Sequence, residues 1–304
     1  MIRLMNNPTL SICIPTYNRA NELSVCLDSI CKQFELEPQL KTAVEIVISD
    51  NASTDNTTEI VSEFQKRYPQ IQYIRNENNV GFDRNVLNVV SHSHGEYCLT
   101  LGDDDAIFEG GIKEILDLIT KTKSSYINLN HWGYNHTLTA PVVPHPNRAQ
   151  TEDIVYDTLR EFVLTIQSPM QLVGTFGGMS TQLFKRDPWL HLENKERFIG
   201  TNTIHLFLIL EAFKELPSTF MKHPTVMTRD NNLRWDSFPG LETEKRRAEK
   251  TAAAAIWISD LYELKMSANK IKIKLAIRAL SNVLKGLIKK TLYRFGWRRK
   301  RMSI

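Results

Sequence analysis

Three consecutive carboxylates, Gly102-Asp103-Asp104-Asp105, stand directly behind the apolar run Tyr97-Cys-Leu-Thr-Leu101. Side by side they repel one another, and a cation relieves that repulsion. Hard oxygen ligands of this kind suit Mg²⁺ or Mn²⁺, and Mg²⁺ is usually held by one or two carboxylates together with substrate phosphates. A nucleoside diphosphate would complete such a coordination shell. The competing reading is a solvated acidic turn that caps the helix beginning near Gly110.

Three other segments carry polar residues in unusual density. Asp50-Asn-Ala-Ser-Thr-Asp55 holds good turn formers and N-caps, and Asp50, at a strand end, could instead accept a hydrogen bond from a base. Pro15-Thr-Tyr-Asn-Arg19 offers the aromatic face of Tyr17 for stacking and a cation, Arg19, beside it. In Gly81-Phe-Asp-Arg-Asn85, Asp83 and Arg84 fall at a helix start, where Arg84 either reaches a phosphate or forms a surface ion pair.

The elements that must position these loops are legible in the hydrophobic pattern. Leu10–Ile14, Val44–Ser49, Ile71–Arg75 and Tyr97–Leu101 read as short buried strands. Between them, Leu23, Leu27 and Ile30 recur at helical spacing behind Asn21, which the pattern offers as an N-cap. Ile60, Val61 and Phe64 mark a second helix capped by Asp55 or Asn56; Val86, Leu87 and Val90 mark a third; Ile112 to Ile119 lies on a fourth. Repeated strand–helix–strand units predict an α/β fold with a mostly parallel central sheet flanked by helices. Ligands of such sheets bind beyond the carboxyl ends of the strands, so the loops after Ile14, Ser49 and Leu101 should meet at one rim.

At 304 residues, with 42% hydrophobic and 24% charged, the chain suits one large or two modest globular domains and excludes collagen-like or wholly disordered classes. No apolar run approaches the ~20 residues of a spanning helix. Met1–Leu10 lacks a basic segment followed by an apolar core, so no secretory leader is expected. Four cysteines without paired CxxC spacing point to a reducing cytoplasm rather than to disulfides or zinc. Charge is uneven: Asn269–Ile304 holds 12 of the 38 basic residues and no acidic one, which leaves 26 basic against 34 acidic, net −8, in the first 268. Within that tail Ile277, Leu280, Leu284, Leu287 and Ile288 form an apolar stripe among lysines and arginines, the pattern of a basic amphipathic helix at an anionic membrane. Packing of the stripe on the body is the alternative. No nucleic-acid-binding module accompanies the charge, so no nucleic acid is expected as partner.

Taken together and in order, Ser11-Ile-Cys-Ile-Pro-Thr-Tyr-Asn-Arg19, Ile48-Ser-Asp-Asn-Ala-Ser-Thr-Asp55, Asn79-Val-Gly-Phe-Asp-Arg-Asn85 and Gly95-Glu-Tyr-Cys-Leu-Thr-Leu-Gly-Asp-Asp-Asp105 resemble the family 2 glycosyltransferases of the GT-A fold. The likeness covers roughly residues 9–120 and extends to the abequosyltransferase-like branch of bacterial O-antigen and surface-polysaccharide synthesis, with Arg197-Phe-Ile-Gly-Thr-Asn-Thr-Ile-His205 as a further, less specific match. It implies a nucleotide-sugar-binding half over 1–125, an acceptor-binding half over 126–236, and a helical basic C-terminal region over 237–304.

The same resemblance assigns roles to residues. Pro15, Thr16, Tyr17, Arg19 and Asn51 would line the nucleoside pocket, and Asp50 would bind the base. Asp83 and Arg84 would hold the nucleotide end; Asp103 and Asp104 would contact the donor. Asp104, with Asp105, takes the cation of the family's DxD motif, although Gly102 stands where its first Asp often sits. The base that deprotonates an acceptor hydroxyl would be His205 or Glu196. The resemblance further implies inversion at the sugar, a lipid-linked glycan acceptor, and a peripheral place on the inner face of the bacterial cytoplasmic membrane. A dinucleotide-dependent oxidoreductase would need a G-x-G-x-x-G turn after the first strand, and Ile14–Arg19 contains no glycine.

Overall fold

The computed structural model describes residues 7–142, 152–166, 169–229 and Tyr262. Two compact units divide the chain, 1–232 and 233–304. The helical C-terminal region expected over 237–304, with its basic amphipathic tail, lies outside the described residues apart from Tyr262. Among the described residues, no helix is long and apolar enough to cross a membrane.

Strands β1 (Leu10–Thr16), β2 (Val44–Asp50), β3 (Ile71–Arg75) and β4 (Tyr97–Thr100) pair in parallel in the order β3-β2-β1-β4, as the alternating pattern predicts. Every residue of β1 is buried, because helices cover both faces of a parallel sheet. On one face, α1 (Ala20–Leu36) lays down Leu23, Leu27, Ile30 and Phe34, and α5 (Gly111–Thr122) lays down Ile112, Ile115 and Ile119. Each side chain so buried contributes about 1.5–3 kcal/mol. The short α2 (Leu40–Ala43) and the helices α3 (Thr57–Arg67) and α4 (Phe82–Ser91) complete the crossovers. β5 (Ala106–Ile107) follows the acidic turn directly.

The second half departs from simple alternation. β6 (Tyr126–Tyr134) is separated from β4 by β8 (Gln182–Lys185), which runs antiparallel to both. The twelve-residue β9 (Ser218–Arg229) lies parallel to β6 and carries on its other edge β5 and β7 (Ile154–Tyr156), both antiparallel. Helices α6 (Leu159–Leu164), α7 (Pro169–Phe176), α8 (Arg186–His191) and α9 (Ile204–Ala212) connect these strands. Ile204–Leu210 are buried on every side of α9, as expected of a helix apolar all round.

One expected cap is corrected. α1 begins at Ala20, not behind Asn21, and its first amide donates to Asp55 Oδ2 at 3.0 Å. The other oxygen, Oδ1, accepts the Thr57 hydroxyl at 2.6 Å and the Thr57 amide at 3.2 Å. A single carboxylate thus caps two helices from neighbouring loops. Burial works against its charge, but the Thr57 hydroxyl and the backbone amides outweigh burial and hold Asp55 below the usual carboxylate range.

Candidate active site

The carboxyl ends of β1, β2 and β4 are adjacent, so the loops that follow them meet, and side chains join them. Asn18, in the left-handed region at φ 52, accepts the Thr54 amide at 2.7 Å, while its own amide donates to Ser53 Oγ at 2.9 Å. Thr16 donates its hydroxyl to Asp103 Oδ2 at 2.8 Å. Arg19 Nη1 lies 2.5 Å from Asp104 Oδ2 and 3.3 Å from Asp103 Oδ1. Pro15 is buried within β1 opposite Ser49, and Tyr17 stands out at the rim, 42% exposed.

The three aspartates have different surroundings. Asp103 is buried against Thr16 and Arg19. Asp105, expected as a metal ligand, is engaged on both oxygens from within the protein: the Arg229 amide donates to Oδ1 at 2.8 Å, and Ser180 donates its hydroxyl to Oδ2. Burial raises the pKa of both Asp103 and Asp105 above the usual carboxylate range, and the charge of Asp104 adds to it. Asp104 lies between them with its side chain one-fifth exposed. Among the described residues, no three His, Cys, Asp or Glu side chains form a ready-made cage for an ion. One partly exposed carboxylate, Asp104, completed by substrate phosphates nevertheless matches the way Mg²⁺ is commonly held.

Gly102 has a local cause. A Cβ there would fall 2.9 Å from Asp104 Oδ1 and 3.2 Å from both Asp105 Oδ2 and Ser180 Oγ, while the Gly102 amide donates to Ser180 Oγ at 2.8 Å. A side chain at this position would push the Asp104 carboxylate aside.

Asp50 is fully buried and accepts the Tyr73 hydroxyl at 2.6 Å and the Ser53 amide at 2.9 Å, with Arg75 Nε at 3.4 Å. Burial and this hydrogen bond raise the Tyr73 phenol to about 12. The carboxylate expected to meet a base is therefore already engaged by protein donors. Asn51 is also buried: its Oδ1 accepts the Val80 amide at 2.8 Å and its Nδ2 donates to Asn79 Oδ1 at 2.8 Å. Asn85, on the buried face of α4, accepts the Ser49 hydroxyl at 2.7 Å and donates to the Ser49 carbonyl at 2.9 Å. It fixes α4 to the end of β2.

Asp83, expected at the nucleotide, instead receives the amides of Gly200 at 2.6 Å, Asn202 at 3.0 Å and Ile204 at 3.3 Å. Gly200 at φ 93 supplies a backbone turn that side chains seldom adopt. Burial raises the Asp83 pKa, and the converging amides work against that rise. Its carboxylate thus holds the loop ahead of α9. Arg84 and Glu196 form an ion pair at 3.5 Å, with side chains 48% and 75% exposed. His205 is only 2% exposed; its Nε2–H donates to the Gly177 carbonyl at 3.1 Å, and Nδ1 is buried without a partner. Burial lowers its pKa to about 4, and the hydrogen bond offsets this only partly.

The structure thus brings Thr16, Tyr17, Arg19, Asp103 and Asp104 to one rim, and joins Asp83, Arg84, Glu196 and His205 around the start of α9. Sequence reasoning misses Arg75, Ser180 and Arg229. Arg75 ends a parallel strand, so the same rim rule reaches it. Ser180 and Arg229 meet the acidic turn only through tertiary closure.

Residues 11–186 match the family model "Glycosyl transferase family 2", and the chain belongs to that family. The abequosyltransferase RfbV of Salmonella typhimurium is 31% identical over 237 residues, covering 75% of this chain and 68% of that protein. A GalNAc(5)-diNAcBac-PP-undecaprenol beta-1,3-glucosyltransferase of Campylobacter jejuni is 32% identical over 110 residues, 36% of this chain and 34% of that protein. Among solved structures, S. aureus TarS 1-349 in complex with UDP-GlcNAc is similar at TM-score 0.63 and 17% identity, covering 90% of this chain and 71% of that one. A mannosyltransferase from Pyrobaculum calidifontis, in complex with GDP-Man and Mn²⁺, is similar at TM-score 0.51 and 14% identity, covering 96% and 82%. The fold is that of the GT-A glycosyltransferases.

Proposed function

We propose that this chain moves a sugar, with inversion, from a nucleotide-diphosphate donor to a lipid-linked saccharide in the assembly of bacterial surface polysaccharide. The observation that carries the reading is the meeting of Asp103 and Asp104 with Thr16, Tyr17 and Arg19 at the carboxyl rim of β1 and β4. The related abequosyltransferase and undecaprenol-linked glucosyltransferase support the substrate classes.

Tyr17 stacks on the nucleoside, and the Asp50–Arg75 pair closes that end of the cleft. Asp104, rather than Asp105, would hold a divalent cation, which would offset charge on the departing diphosphate. Arg19 and Arg84 add positive charge on the protein's side. The acceptor hydroxyl attacks the anomeric carbon from the face opposite the diphosphate; the new glycosidic bond forms as the bond to the diphosphate oxygen breaks. We assign the released proton to Glu196, whose side chain is 75% exposed, because His205 is buried at 2% exposure with its Nε2–H committed to the Gly177 carbonyl, out of reach of an acceptor hydroxyl. His205 then fixes the start of α9 to Gly177.

The basic tail is proposed to keep the enzyme at the anionic inner leaflet. A chain ending near Met266 should lose co-sedimentation with anionic vesicles. To test the central reading, UDP-, CDP-, GDP- and dTDP-sugars are screened for thermal stabilisation with and without Mn²⁺. One donor should raise the melting temperature only with metal and should be turned over with a lipid-linked acceptor. Binding without turnover on any acceptor would favour a nucleotide-binding protein that lacks transferase activity.

A further inference from the structure

We propose that Arg19 is an internal counter-ion of the acidic turn, which the divalent cation displaces and which then takes the donor's diphosphate. This rests on the transferase reading above and deepens it. Arg19 Nη1 sits 2.5 Å from Asp104 Oδ2 and 3.3 Å from Asp103 Oδ1, on the carboxylate assigned to the cation. Two cations on one carboxylate repel each other, so a metal entering at Asp104 weakens the hold on the guanidinium.

The rest of the turn is built to survive that exchange. Asp103 keeps the Thr16 hydroxyl at 2.8 Å. Asp105 keeps Ser180 and the Arg229 amide. Asp104 gives up its 2.5 Å contact with Arg19, and Asp103 gives up only the longer one at 3.3 Å. Arg19 is the N-cap residue of α1, with φ −139; its carbonyl accepts the Leu23 amide at 2.9 Å, while its side chain, one-fifth exposed, takes no part in the helical ladder. Its long stem can swing the guanidinium outward without unwinding the helix. Once released, a planar fork of N–H donors is well suited to phosphate oxygens.

Two consequences follow. Without nucleotide, the cation must compete with Arg19 and binds weakly. With a nucleoside diphosphate present, the displaced guanidinium gains a new partner, so cation and diphosphate bind cooperatively, each raising the other's affinity by the same factor.

The test is Mn²⁺ binding followed by electron paramagnetic resonance, on wild type, Arg19→Gln, Arg19→Lys and Asp104→Asn, each first shown to be folded by circular dichroism. Titrations are run with Mn²⁺ alone and then with UDP, CDP, GDP or dTDP. Arg19→Gln should bind Mn²⁺ alone about tenfold more tightly than wild type, and Asp104→Asn should bind far less. The nucleotide that tightens Mn²⁺ binding to wild type, by about 5–150-fold, should do so much less in Arg19→Gln. Should Arg19→Gln fail to fold, Arg19→Lys carries the test, since its single ammonium competes less well and Mn²⁺ alone should bind it several-fold more tightly. Equal or weaker Mn²⁺ binding to the folded Arg19 variants would overturn the exchange while leaving the transferase reading intact. Absence of Mn²⁺ binding to every protein would overturn both the exchange and the assignment of Asp104.

Discussion

Along β1, β2 and β4 the chain reaches the rim within a residue or two of each strand's end, and the three loops that follow them deliver the polar residues there. The second half builds its share differently. Ser180 precedes an antiparallel strand inserted between β4 and β6, Arg229 ends the long β9, and the loop ahead of α9 is held from α4 by Asp83. The rim is thus joined within the first half by contacts across 35 to 87 residues, and the second half reaches the acidic turn by contacts across 75 to 124 residues. Loss of cation and donor binding should therefore follow substitutions at the rim of the first half, whereas loss of stability should follow those that join the halves.

Asp83→Ala sharpens that contrast most. It leaves three amides without their acceptor, and urea denaturation should show about 3 kcal/mol of lost stability. Asp83→Asn keeps one carbonyl oxygen and should lose about half as much. A change in donor affinity alone, with unaltered stability, would place Asp83 on the nucleotide side after all.

His205 gives a pH signature of similar size. Its folded pKa, about 4, lies below the 6.5 of an unperturbed imidazole, so the unfolded chain takes up a proton first as pH falls. The contribution is present above pH 6.5 and is lost as pH falls towards 4. Relative to His205→Gln, wild type should lose of order 3 kcal/mol across that window.

Gly102→Ala crowds Asp104, Asp105 and Ser180, whose polar ends can yield slightly. About 1 kcal/mol of stability should go, together with a measurable weakening of Mn²⁺ binding. Smallest of all, Arg84→Ala breaks an exposed ion pair with Glu196 and should change stability by less than about 1 kcal/mol. Its effect should be sought in the Michaelis constant for donor.

These differences also explain what was legible. β1 to β4 are short apolar runs ended by polar turns, so pattern alone places Tyr17, Arg19, Asp50 and Asp103–Asp105 at one rim. Arg75, at the end of β3, was within reach of the same rule. β5 has two residues, too few to show a period, and β8 has only Leu183 and Phe184 between Gln182 and Lys185 to mark it. Nothing local to Ser180 or Arg229 announces a partner at Asp105, because sheet pairing brings them together. Asp50 and Asp83 were recognised by their position in a motif, yet their neighbours Tyr73, Ser53 and the amides of 200–204 decide how each carboxylate is used. The apolar helix around His205 was visible, and burial on all its sides is the physical reason the imidazole stays neutral.

The most direct test of the site is sugar transfer by Asp104→Asn, with its folding checked by circular dichroism and thermal melting. The expected result is a folded protein whose turnover of the identified nucleotide-sugar, with saturating Mn²⁺, falls by at least about a thousandfold. Turnover at the wild-type rate would contradict the assignment of the cation, and with it the chemistry proposed for the acidic turn.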